Sequence, residues 1–167
     1  MELSTARPAI RIATAADREP VQRLINDAFV VERFIKKGGG DRLAAGGAEM
    51  DGLFARGTFL VLEESGTAVG CVYVEPKGDR CYLGLLSVSP HHQGKGLGRR
   101  LSLAAEAYAR DCGCHSMDLR VVSPRRDELV PLYLKLGYAE TGKQEYPADL
   151  AAEMEVPGHF ILMAKQL

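Results

Sequence analysis

The chain has 167 residues, 46% hydrophobic and 26% charged, with 21 lysines and arginines against 22 aspartates and glutamates. That length fits a single domain over residues 1–167, which buries roughly 70% of its unfolded surface and needs no disulfide or metal staple. A formal charge of -1 and a pI near 6.4 exclude a broad basic face for nucleic acid or acidic membrane, so any anion is held locally.

In chain order, residues 10–13 alternate apolar and polar as a first strand does, ending at Thr14. Asp17 is placed to cap the next helix, with Pro20 in its first turn. Val21, Leu24, Ile25, Ala28 and Phe29 then recur as one apolar stripe. Residues 36–47 hold five glycines and suit no regular element; they read as a solvated linker or as a lid beside a substrate site. A short helix is expected over 48–55. Strand-like runs over 58–63, 68–75 and 80–89 are separated by Glu64-Ser65-Gly66-Thr67 and Pro76-Lys77-Gly78-Asp79, turn sequences that make them successive antiparallel hairpins.

Leu97, Leu101, Ala104, Ala105, Tyr108 and Cys112 share one helical face that Gly113 closes. Residues 116–122 return to a strand, parallel to the previous one because a helix connects them. Asp127 or Glu128 opens a helix carrying Leu129, Leu132, Tyr133 and Leu136, which Gly137 stops. Residues 138–141 and 159–165 close the chain as strands around an irregular stretch with Pro147 and Pro157. The order predicts an α/β domain: a mixed, mostly antiparallel central sheet of six to seven strands with helices on both faces.

The stretch that bears chemistry is Gln93-Gly94-Lys95-Gly96-Leu97-Gly98-Arg99-Arg100, between a strand and a helix. Glycines there permit positive φ and close approach of a ligand, while the first N–H groups of the helix lack partners. Phosphate is the natural guest, helped by Lys95, Arg99 and Arg100. A P-loop needs Ser or Thr after Lys95, where Gly96 stands. A dinucleotide fingerprint begun at Gly94 or Gly96 needs glycine at Arg99 or Leu101. Both spacings fail.

These residues resemble the GNAT acetyltransferase superfamily. Residues 93–98 match its Gln/Arg-x-x-Gly-x-Gly/Ala signature, and Leu132-Tyr133-Leu134-Lys135-Leu136-Gly137-Tyr138 is similar to its Leu-Tyr-x-Lys-x-Gly-Phe/Tyr helix end. The resemblance implies an acyl-CoA N-acyltransferase architecture in which Gln93, Gly94, Lys95, Gly96, Leu97, Gly98 and Arg99 hold the pyrophosphate of acetyl-CoA. It also implies a bulged preceding strand, where backbone groups of Leu86, Ser87 and Val88 pair with the pantetheine arm. The parallel strand over 117–122 would splay away to leave a slot for the thioester, and a backbone N–H near Val88 would stabilise the oxyanion. Tyr133 matches the tyrosine that protonates the departing thiolate, as a phenol titrating near ~10 can at neutral pH. Its place on the helix's apolar face also fits a plain core aromatic.

The activity implied is transfer of an acetyl group from acetyl-CoA to a primary amine of a small molecule or peptide by direct attack. The alternative is a non-catalytic acyl-CoA-binding sensor or regulatory module, because the glutamate many relatives carry is Tyr82 here. Glu75, His91 or His92 stand in as base, directly or through water, or are solvated surface groups. Arg126, where the resemblance leads one to expect Asn, is a candidate cofactor contact together with Arg125. Ser123-Pro124 either faces the acceptor or turns the chain.

The acceptor is expected to meet residues 36–47 and 143–157. In the latter, Glu145, Asp149, Glu153 and Glu155 suit a cationic amine or simply solvate a loop. The start of the chain lacks a secretory pattern, and no apolar run approaches the roughly 20 residues of a membrane helix. Cys112-Gly113-Cys114-His115 has no second ligand pair, so no metal is expected, and the cysteine usage points to a reduced, cytoplasmic setting. A homodimer through the final strands is compatible with the resemblance.

Overall fold

The structure, a computed structural model, describes residues 8–32, 35–43 and 46–167. Its strands are β1 (Ala9–Ile12), β2 (Thr58–Glu64), β3 (Thr67–Lys77), β4 (Arg80–Val88), β5 (Ser116–Val122), β6 (Ala139–Glu145) and β7 (His159–Gln166). Its helices are α1 (Arg18–Ala28), α2 (Ala48–Arg56), α3 (Leu97–Asp111), α4 (Arg126–Lys135) and α5 (Ala148–Glu153). The seven strands form one sheet in the order β1-β2-β3-β4-β5-β7-β6. Every neighbouring pair is antiparallel except β4 with β5, as the helical connection between them requires. Among the described residues no helix is long and apolar enough to cross a membrane.

Both faces of the sheet are covered, which is why β2 and β3 read as nearly continuous apolar runs. The period of two sends Val72 and Val74 into a core with Leu101 and Ala105 of α3 and Val130 of α4. Cys71 and Tyr73 point the other way, into a core with Val21, Leu24 and Ile25 of α1. Gly113 and Gly137, at φ 85° and 96°, end α3 and α4 in the left-handed conformation. The N–H of Cys114 then returns to the carbonyl of Ala109 at 2.9 Å, and that of Tyr138 to Tyr133 at 3.0 Å.

Two local expectations are corrected. The stretch around Pro147 contains α5, and β6 runs to Glu145 because it pairs with β7 out to His159. Asp17 does not cap α1 with its side chain. Its carboxylate accepts from the Arg11 guanidinium at 2.7 and 2.8 Å and from the Thr14 N–H at 2.7 Å, a charge-assisted fork stronger than a neutral cap.

Arg11 holds the Asp17 carboxyl down to about 2 from the ordinary 3.8. A folded value below the unfolded one adds stability above about pH 4 that is lost as pH falls through 2. Asp17→Asn is expected to flatten the stability profile between pH 4 and 2 while lowering stability at neutral pH. Urea midpoints that keep the parent's acid slope in that window would contradict this assignment.

Candidate active site

Pairing between β4 and β5 runs only from Arg80↔Ser116 to Tyr82↔Asp118 and then stops. Beyond that point β5 stays with β7 as far as Val122↔Phe160, while β4 keeps its pairing to β3. β4 also carries an extra residue there: its register slips between Cys71 and Tyr73, and Leu85 takes a φ of 52°. The Ser87 hydroxyl donates to the Leu85 carbonyl at 2.9 Å and is 1% exposed, so it fastens the bulge. The wedge between the separated strands opens into a cleft of about 640 Å³.

One end of this cleft is the glycine loop. Gly94 and Gly96 have φ of 80° and 77°, and a Cβ at either would meet nothing within 4 Å. They are glycine for backbone direction, leaving open space in front of the first N–H groups of α3, which lack helical acceptors. Gln93, Gly94, Gly96, Leu97, Gly98 and Arg99 line the cleft, with Leu86 and Val88 beside them on β4. Gln93 donates to the Val88 carbonyl at 3.1 Å and joins loop to strand. Lys95 is exposed and off the lining, and Arg100 donates to the Pro8 carbonyl at 2.6 Å. A phosphate here would meet backbone amides and Arg99.

Leu119 and Val121 of β5 and Tyr133 of α4 form the next wall. Tyr133 is 9% exposed, packed edge-on to Tyr138 at 5.9 Å, and burial pushes its phenol up to about 12. It is therefore a proton donor throughout the neutral range. Arg126 does not reach this cleft: it forks onto Glu140 of β6 at 2.6 and 3.0 Å on the exposed side of α4. Its neighbour Arg125 does, pairing with Glu32 and Glu128 at 2.8 Å each and tying the start of α4 to the segment after α1.

Glu75 lies elsewhere. It lines a second cleft of about 510 Å³, with Arg56 at 3.2 Å, Lys77 at 3.0 Å and the Tyr73 hydroxyl donating at 3.0 Å. Burial works to raise its pKa, but these partners together bring it below the usual carboxylate value, the opposite of what a base requires. Among the described residues, the three carboxylates that line the first cleft are also engaged, Glu32 and Glu128 by Arg125 and Glu49 by Arg42 at 3.4 Å. His92 lines it and sits 3.0 Å from Glu64, whereas His91 is exposed and does not.

The remaining wall uses the two irregular segments. Lys36 bridges to Met154, and Leu43 exchanges two hydrogen bonds with Asn26, so the described part of 36–47 is fastened as a wall of the cleft through Lys36 and Arg42. The later segment contributes Leu150 and Met154; Glu145, Asp149, Glu153 and Glu155 line neither cleft. Sequence reasoning missed this because those carboxylates share a segment with the lining residues but not a face. Ser123 turns the chain, its hydroxyl accepting from the His159 N–H at 3.0 Å.

A family model described as acetyltransferase (GNAT) family matches residues 21–138. Among curated proteins the chain is similar to N-acetyltransferase family 8 member 2 of Rattus norvegicus, 35% identical over 96 residues, 54% of this chain and 42% of that protein. It is likewise similar to N-acetyltransferase 8 of Mus musculus, 34% identical over 98 residues, 54% of this chain and 43% of that one. The chain thus spans under half the length of these relatives. Among solved structures, yncA of Salmonella typhimurium, determined with its cofactor acetyl-CoA, is 25% identical with a TM-score of 0.73, over 97% of this chain and 95% of that one. The ribosomal-protein-S18-alanine N-acetyltransferase of Escherichia coli has a TM-score of 0.74 at 18% identity, over 96% of this chain and 94% of that one, and shows the shared fold.

Proposed function

Because the chain belongs to the GNAT acetyltransferase family, we propose that it moves the acetyl group of acetyl-CoA onto a primary amine by direct attack. The observation that carries this reading is the parting of β4 from β5 beyond Tyr82 and Asp118, beside an uncapped helix start and in front of a protonated tyrosine. When bound, acetyl-CoA supplies the activated acyl group. Gly94, Gly96, Leu97, Gly98 and Arg99 would hold its pyrophosphate, and the free edge of β4 at Leu86 and Val88 would run along the pantetheine arm. The amine nitrogen bonds to the carbonyl carbon, the carbon–sulfur bond breaks as the Tyr133 hydroxyl gives its proton to the thiolate, and the proton that the nitrogen sheds on becoming an amide passes to water, from which the Tyr133 phenolate is reprotonated.

Among the described residues no free carboxylate stands in this cleft to take the amine's proton, so the amine reacts as the free base after losing its proton to water. The rate should then climb with pH along the acceptor's own titration. Mass spectrometry of amino acids, peptides and polyamines incubated with the protein and acetyl-CoA tests the reading. Acetylated amine with release of free coenzyme A supports it. Calorimetric binding of acetyl-CoA with no acyl transfer across the panel points to a sensor or regulatory module instead.

A further inference from the structure

We infer that the acceptor is an apolar amine bearing a carboxylate, and that Arg120 is the residue that receives the carboxylate; this rests on the acetyl-transfer reading above. The two clefts share Arg42, Glu49, Tyr82, Leu85, Leu119 and Arg120, so they meet at the mouth of the β4–β5 wedge. Arg42, Arg56, Lys77, Arg80 and Arg125 line them, each with a carboxylate partner. Among the described residues, the lining cations without one are Arg99, at the glycine loop, and Lys36 and Arg120. The acceptor side is thus left with positive charge that the protein does not neutralise.

Arg120 lies on β5 two residues beyond its last pairing with β4, inside the wedge. Its guanidinium carbon is 4.3 Å from the ring centre of Phe160 on β7 and 5.7 Å from that of Tyr82 on β4. The Tyr82 ring in turn lies across Gly84, where a Cβ would come within 2.8 Å of it. Two ring faces therefore hold the guanidinium without using its N–H groups, which have no hydrogen-bond acceptor among the described residues. A planar fork of free donors, weakly hydrated and fixed by aromatic rings, matches a carboxylate in two-point geometry.

A purely cationic amine finds the opposite. Among the described residues, every carboxylate lining the two clefts, Glu32, Glu49, Glu75, Asp118 and Glu128, is already engaged by an arginine. Nearby Ile35, Leu150, Met154 and Phe160 make the rest of the wall apolar. An apolar body with an amine and a carboxylate fits both halves of this surface, and a polyamine fits neither.

The test compares phenylalanine, leucine and methionine with their carboxamides and with the decarboxylated amines, with spermidine as the cationic control. Acetyl transfer is followed by mass spectrometry, and binding to the protein saturated with coenzyme A by calorimetry. Compared at equal concentrations of free-base amine, because an amino acid's amine is more basic than its amide's, the carboxylate member should have a kcat/KM at least about tenfold above its amide. In Arg120→Gln that ratio should fall to within about twofold of unity, mainly through KM, and Arg120→Lys should recover part of it. Amides or spermidine acetylated as well as the acids, or a ratio untouched by Arg120→Gln, would overturn the inference; should that variant not fold, the parent protein's ratio decides alone. Acids that bind with no transfer would sink the transferase reading and keep the carboxylate site. Acids that bind no tighter than their amides would sink the site whatever the turnover.

Discussion

Tyr133→Phe should lower kcat by about a hundredfold or more, the usual yield of a positioned proton donor, while acetyl-CoA affinity stays within about threefold. The ring is what packs: it meets Tyr138 edge-on at 5.9 Å and belongs to the core under α4. The hydroxyl makes no hydrogen bond to another side chain among the described residues, so its removal leaves the core intact and stability nearly unchanged. With the phenol raised to about 12, the donor stays protonated from pH 6 to 9, and the variant's deficit should be constant over that range. Parental turnover in Tyr133→Phe would remove this residue from the chemistry. A loss of melting temperature in step with activity would make it a core aromatic.

Gly94→Val and Gly96→Val combined should weaken acetyl-CoA binding about a hundredfold with little change in melting temperature. A β-branched residue at φ near 80° is held in a region it rarely adopts, at a cost of roughly 1–2 kcal/mol per position, and the loop relieves that strain by moving. Since a Cβ at either position meets no protein atom, the damage falls on what binds in front of the loop and not on the fold. Isothermal titration with acetyl-CoA reads the first effect and a thermal melt the second. Parental affinity in the double variant would show that the loop does not hold the pyrophosphate.

The contrast between these two sites shows what could be read along the chain. Gly94, Gly96, Gly113 and Gly137 stood out because left-handed backbone is a local property of one residue, and all four adopt it. The helix stripe of α3 was legible for the same reason, although Glu106 on that buried face was not; Lys165, on β7, neutralises it at 2.6 Å. Tyr133 was legible through its flanking residues. That its side chain lines the cleft follows from how α4 packs on the sheet.

The sequence by itself determined the element order, the hairpins, the helix stops and the glycine loop, because periodicity and φ are set within a few residues. Only the tertiary structure decided which charges face the cleft. Arg125 and Arg126 are adjacent, yet one turns to Glu32 across 93 positions and the other to Glu140. Glu75 is drawn down by Arg56 and Lys77, and the acidic residues after Tyr138 turn away while Arg120 is held between rings from two other strands. A side chain's electrostatic role depends on partners brought from distant strands and helices, and those distances exist only once the sheet has formed.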